Sequence, residues 1–160
     1  MKTLVVFYSN AGNTKAAAER IANELSADLL RLIPVKEIPG EGFGKFFLGG
    51  MKATFGWGTK LVKYDLDLKK YDQIILGTPV WASGPAPAVN RFLKKIGDTS
   101  KITSVFTCSA SGDNDKCIRK LAKKIPDLKR NVSLWDNKFP EHAKDNDSGL
   151  KGFVEKCRNA

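Results

Sequence analysis

The sequence predicts an α/β protein, a single three-layer sandwich built on a parallel sheet. Short apolar runs alternate with amphipathic stretches along the whole chain, which is the pattern of strands joined by crossover helices. Three of those runs end in small polar residues directly before a helical pattern. The length, 160 residues, suits one well-covered core and is short for two domains, so residues 1–160 are expected to form a single domain.

The first run, 3–8, is T-L-V-V-F-Y, a strand buried on both faces. It gives way to S-N-A-G-N-T at 9–14 and then to an alanine-rich helix expected over 14–25. A weaker strand is expected at 29–33. The next strong run is 74–78, followed by a turn built of Thr78, Pro79, Val80 and Trp81; the prolines at 79, 85 and 87 stiffen this loop and let a helix begin near Ala88 and run to 96. A third buried strand at 104–107 ends in C-S-A-S-G-D before a helix at 116–125. A strand at 132–135 and a helix at 149–157 complete the pattern.

In parallel α/β sheets, ligands bind outside the carboxyl ends of the strands, where strand order reverses. The segment Ser9, Asn10, Ala11, Gly12, Asn13 and Thr14 would then be the turn that opens the first helix, with exposed amides at its positive end. Small residues let an anion approach the backbone, Gly12 can take a positive φ, and the side chains of Ser9, Asn13 and Thr14 can donate to phosphate oxygens. An ordinary helix cap is the competing interpretation of the hexapeptide. The segment is neither G-x-x-x-x-G-K-[ST] nor G-x-G-x-x-G, which disfavours an NTPase loop and a dinucleotide fingerprint. Trp81 ends the third strand, where a planar ligand can meet it. Three such strand ends describe a pocket better than three caps.

Y-S-N-A-G-N-T after the first strand, G-T-P-V-W-A-S-G-P-A-P after the third and the small-residue loop after the fourth, in this order and spacing, resemble the flavodoxin-like FMN-binding proteins. The resemblance covers most of the chain. It implies a five-stranded parallel sheet of order 2-1-3-4-5 and FMN as cofactor, its phosphate on residues 9–14. The isoalloxazine would lie between Thr78, Pro79, Val80, Trp81 and Ala82 on one side and the loop from Cys108 through Ser109, Ala110, Ser111 and Gly112 to Asp113 on the other. Two departures stand out. Ala11 replaces a usual threonine, removing one hydroxyl donor at a cost of about 1 kcal/mol. The 108–113 loop lacks the aromatic residue that electron-carrier members stack on the flavin, leaving one ring face open.

The resemblance implies a redox protein that carries electrons between partners, with an NAD(P)H-dependent FMN or quinone reductase as the alternative. A cofactor-free interaction module and a nucleic-acid binder rank below these. The net charge of +10 suits an acidic redox partner or an anionic small-molecule acceptor, and no nucleic-acid readout motif accompanies it. Monomer and homodimer both remain open. No apolar run reaches the roughly 18 residues of a membrane helix, and Met1-Lys2-Thr3 leads directly into a strand, so a cytoplasmic protein is expected.

The remaining chemistry-bearing residues are assigned modest roles. Cys108, Cys117 and Cys157 form neither a disulfide framework nor a metal motif, and Cys108 is expected to be a packed thiol. His142, in a polar segment, reads as a surface residue, and Asp113 and Asp115 as charges at a helix start. No catalytic acid, base or metal ligand is assigned. The stretch 40–63 carries seven glycines among Phe43, Phe46, Phe47, Met51, Phe55 and Trp57 and is expected to be a flap over the sheet edge.

Overall fold

Side chains of the first strand alternate between two cores. Leu4, Val6 and Tyr8 enter one and Val5 and Phe7 the other, so the strand is buried on both faces. The computed structural model of the chain describes residues 1–36 and 59–159. Its elements in chain order are β1 (Thr3–Phe7), α1 (Asn13–Leu25), β2 (Asp28–Arg31), β3 (Gln73–Trp81), β4 (Gly84–Pro85), α2 (Pro87–Ile96), β5 (Ile102–Ser109), α3 (Asp115–Ala122), β6 (Arg130–Trp135) and α4 (Ala143–Arg158).

The sheet order is β2-β1-β3-β5-β6, every neighbouring pair parallel, with β4 added antiparallel to the end of β3. Setting the two-residue β4 aside, this is the expected 2-1-3-4-5. The chain steps from β1 to β2 on one side and returns to β3 on the other, so the carboxyl ends of β1 and β3 flank the crevice where strand order reverses. α1 and α4 cover one face through Ala18, Ile21, Phe153 and Val154; α2 and α3 cover the other through Val89, Phe92, Cys117 and Leu121. Arg20 of α1 ties the first pair together, reaching Asp147 of α4 at 2.7 Å.

Three local expectations are corrected. Thr78, Pro79, Val80 and Trp81 are not a turn: they continue β3, with Thr78 and Pro79 in register beside Thr107 and Cys108, and Val80 and Trp81 paired with Pro85 and Gly84. The turn is Ala82–Ser83, both at positive φ (48° and 57°), a two-residue hairpin of the primed kind. Val80 and Trp81 favour extended backbone, and the Thr78 hydroxyl accepts from the Ala86 amide at 3.0 Å, closing the hairpin. The last helix starts at Ala143, six residues before the expected 149, because its polar first turns are held by tertiary contacts: Asn146 accepts from the Trp135 amide and donates to the Trp135 carbonyl, both at 2.9 Å. α3 ends at Ala122, short of the expected 125.

Most of the 40–63 segment falls on residues 37–58, outside the described residues. Its tail pairs with the chain after β2, Leu61 bridging Pro34 and the Val62 amide donating to the Ile33 carbonyl at 2.7 Å. Among the described residues, no helix is long and apolar enough to cross a membrane.

Candidate functional site

Two loops at the carboxyl ends of β1 and β5 are built alike. Each reads S-x-x-G, and in each the serine hydroxyl accepts from the glycine amide three residues on, Ser9 from Gly12 and Ser109 from Gly112, both at 3.1 Å. Both glycines have positive φ, 95° and 64°. The space above them differs. Among the described residues nothing lies within 4 Å of where a β-carbon on Gly12 would stand, whereas one on Gly112 would meet Trp135 Cε2 at 2.2 Å. The first loop is open to a ligand and the second is sealed by an indole.

The open loop heads α1. Gly12 is the N-cap and supplies no side-chain cap, so the amides of Asn13, Thr14 and Lys15 have no intrahelical acceptor. The side chains expected to donate to a phosphate have partners in the protein: Ser9 accepts from Gly12, the Asn13 carbonyl oxygen accepts from the Asn137 amide at 3.1 Å, and the buried Thr14 hydroxyl bonds the Cys108 thiol. Asn10 and Ala11 are exposed. An anion here can be held by main-chain amides at a helix N-terminus, and the Ser9 hydroxyl and the Asn13 side-chain NH2, whose cited bonds are accepted ones, still have protons to donate, which suits a phosphate group. Arg31, at the end of β2, adds positive charge: its guanidinium donates to the Ser9 carbonyl at 3.2 Å and forms no ion pair among the described residues.

A cleft of about 430 Å³ opens between the β3–β4 hairpin and the sealed loop. Val80 and Ser83 line the hairpin side. Ser109, Ala110, Ser111 and Asp113 line the loop, with Asn114, Lys116 and Cys117 behind them. Asn114 fixes this wall. It is 1 % exposed, accepts from the Ser109 hydroxyl at 2.6 Å and donates to the Thr107 hydroxyl at 2.9 Å, while Ser109 in turn accepts from the amides of Ser111 and Gly112. Trp81 is not a lining residue of this cleft; it packs edge-on against Tyr8, centroids 5.8 Å apart, between the ends of β1 and β3.

The titratable groups nearby are structural. Burial pushes the Cys108 thiol up to about 12, against a smaller opposing effect of the Thr14 hydrogen bond, and burial likewise pushes Cys117 up to about 12. Both are poor nucleophiles at neutral pH. The Asp113 carboxylate accepts from the Asp115 amide at 3.2 Å, at the start of α3 as expected. His142 is more than a surface residue: its ring stacks on Trp135 at 3.7 Å and 9°, and its Nδ1 lies 3.1 Å from Asp145. Among the described residues, no group of His, Cys, Asp or Glu side chains could hold a metal ion.

The flavodoxin family model matches residues 58–157, well over half the chain. This chain belongs to the flavodoxin family. No curated protein matches it. Among solved structures it is similar to a flavoprotein from Lactobacillus acidophilus NCFM in complex with FMN, at 22 % identity over 91 % of this chain and 98 % of that one, with a TM-score of 0.71. A flavodoxin, WrbA-like protein from Agrobacterium tumefaciens (18 % identity, 99 % and 98 %, TM-score 0.58) and flavodoxin 2 from Bacillus cereus (20 %, 99 % and 94 %, 0.56) share the fold. Within this flavodoxin the expected residues of all three strand-end loops lie at one end of the sheet. Arg31 and Trp135 were not found from the sequence, because each acts across the fold on a loop it does not belong to; Asn114 is local, one residue past the 108–113 loop, but its anchoring role depends on burial that the sequence does not display.

Proposed function

We propose that this flavodoxin binds FMN and carries electrons between partners. The observation that carries the reading is Gly12, clear of other described residues at the uncapped head of α1, where main-chain amides are left without intrahelical acceptors. Family membership and the FMN complex of the Lactobacillus protein support the choice of FMN. The cleft between the hairpin and the 109–113 loop is the matching place for the isoalloxazine, flanked by Val80 and Ala110.

FMN, when bound, supplies one- and two-electron redox chemistry. The residues of the chain bind, orient and tune. The amides of Asn13, Thr14 and Lys15 hold the phosphate, with Arg31 adding charge beside Ser9. Asn114 and Trp135 hold the second wall in place, so that side of the cleft is formed by the protein's own contacts and would not have to be ordered by a bound FMN. Lys116 places a positive charge on the cleft lining and Asp113 a negative one. The buried, protonated thiols of Cys108 and Cys117 offer no competing nucleophile.

The test is an absorption spectrum of the purified protein, followed by titration of the apoprotein with FMN and riboflavin. FMN binding one to one and more tightly than riboflavin is expected; equal affinities would overturn the assignment of the 9–14 loop. Anaerobic NADH and NADPH separate the two redox classes, since rapid reduction by either would make the protein a reductase.

A further inference from the structure

α3 arranges its charge differently from the long helices on the opposite face. On α1 and α4, residues four apart pair opposite charges: Lys15 with Glu19 at 3.6 Å, Arg20 with Glu24 at 2.9 Å, Asp147 with Lys151 at 2.9 Å. On α3 and the turn that ends it, Asp115 stands four residues before Arg119 without forming an ion pair with it, and the same spacing sets Lys116 beside Lys120, Arg119 beside Lys123 and Lys120 beside Lys124. Like charges at this spacing oppose the helix. Among the described residues, Lys116, Arg119, Lys120 and Lys123 form no ion pair, and all four are exposed. Residues 87–130 hold 11 of the 27 basic side chains and 4 of the 17 acidic ones, which is seven of the ten net positive charges.

The stripe has a definite course. Lys116 lines the cleft, and the Lys120 ammonium lies over the hairpin, 3.4 Å from where a Gly84 β-carbon would stand. Lys124 reaches across to the Asn90 side-chain oxygen of α2, and Lys94, one turn beyond Asn90, is exposed. Burial, and after it Lys120, holds the Lys124 ammonium below its usual range, so these charges feel one another. A chain that keeps mutually repelling lysines unpaired from the mouth of its site outward is set up for an anionic partner.

We infer that the lysine stripe Lys116, Lys120 and Lys123 is the docking surface of an acidic redox protein, which seats its carboxylates there and brings its own redox centre to the cleft between Ser83 and Ser111. This rests on the FMN reading for its purpose, but not for its geometry. A protein fits better than nucleic acid. The stripe begins at the cleft, α3 has lysine point charges with one arginine, and no aromatic ring is among the exposed large apolar side chains of the described residues to stack on bases.

The probe is a small acidic [2Fe–2S] ferredoxin, used reduced in stopped-flow and oxidised in amide-shift mapping. Two double variants carry the same charge change: Lys120→Glu on α3 with Lys123→Glu at its C-cap, called the α3 variant, and Lys144→Glu with Lys156→Glu on α4. The α3 variant is expected to slow electron transfer about tenfold at low salt and to flatten its salt dependence, with less than a twofold effect on α4. Its Tm should also rise, by about 1–3 °C, because Lys120→Glu turns two like-charge pairs into attractive ones. Equal slowing of both variants would overturn the inference, since net charge alone would then be acting. So would an unchanged ferredoxin rate accompanied by lost retention on a DNA duplex, which would mark a nucleic-acid face. Lys120→Gln with Lys123→Gln repeats the measurement should the glutamates disturb folding. A chain that binds no FMN would remove the FMN reading alone, because shifts mapped to α3 with oxidised ferredoxin still decide the docking.

Discussion

Gly112 lies directly against the indole of Trp135, so close that a β-carbon would stand 2.3 Å from Nε1. The His142 ring stacks on that indole, and Asn146 bonds both the amide and the carbonyl of Trp135. The second wall of the cleft is thus held by the end of β6 and the start of α4, neither of which lines it.

The two S-x-x-G loops should therefore answer mutation differently. Gly112→Ala combines a positive φ with a clash against a ring that has little room to move, and should cost about 2–4 kcal/mol of stability. Gly12→Val meets open space and should cost only about 1–2 kcal/mol of stability while lowering FMN affinity at least tenfold. Chemical denaturation of the apoproteins and FMN titration of each variant check both; loss of FMN binding confined to Gly112→Ala would reverse the assignment of the loops.

Arg31 tests the charge at the phosphate. Arg31→Gln should weaken FMN by about 1 kcal/mol and leave riboflavin unchanged, since only FMN carries the dianion. Parallel titrations at low and high salt measure it. A matching loss for riboflavin would mean that Arg31 acts only by holding the Ser9 loop.

The Ala82–Ser83 turn is strained as the chain stands, with two non-glycine residues at positive φ. Replacing the pair with Asn-Gly should raise stability by about 1 kcal/mol or slightly more, read from thermal or denaturant melts. If that stabilised hairpin also binds FMN more weakly, the strain belongs to the site.

Lys116 should tune the flavin. Reduction adds negative charge, which a cation on the cleft lining favours, and solvent screens an exposed lysine to about a third of its value at an effective dielectric of about 20. Lys116→Gln is expected to lower the midpoint potential of bound FMN by about 20–60 mV, measured by anaerobic spectroelectrochemistry. A shift to higher potential would contradict the electrostatic account.

Alkaline pH should destabilise the fold through its thiols. Burial raises the Cys108 pKa from 9.0 to about 12, so the folded state keeps a proton that the unfolded state loses. Its contribution is fully present below pH 9 and is lost as pH rises toward 12. Denaturation at about pH 7.5 and about pH 10.5 should show the loss, and Cys108→Ala should reduce it. Native Cys108 should also resist iodoacetamide at about pH 8, where the unfolded chain reacts.

Much of this was legible along the chain. The alternation of buried runs with amphipathic stretches determined the parallel α/β class, and the small residues at 9–14 and 108–113 marked the ends of two of its strands. These are local properties: a run such as T-L-V-V-F can be buried on both faces wherever it goes, and Ser-x-x-Gly can turn a chain into a helix without distant help. The position of the turn was less legible, because Thr78, Pro79, Val80 and Trp81 look like punctuation until Ala86 returns to bond Thr78. What only the tertiary structure decided is which of the two like loops is open. Nothing within Ser109–Gly112 distinguishes it from Ser9–Gly12; Trp135, far along the chain from Gly112, closes one, and Arg31 charges the surroundings of the other. Such choices depend on sheet register and on which side chain reaches across, and those are properties of the packed whole that no local stretch of sequence contains.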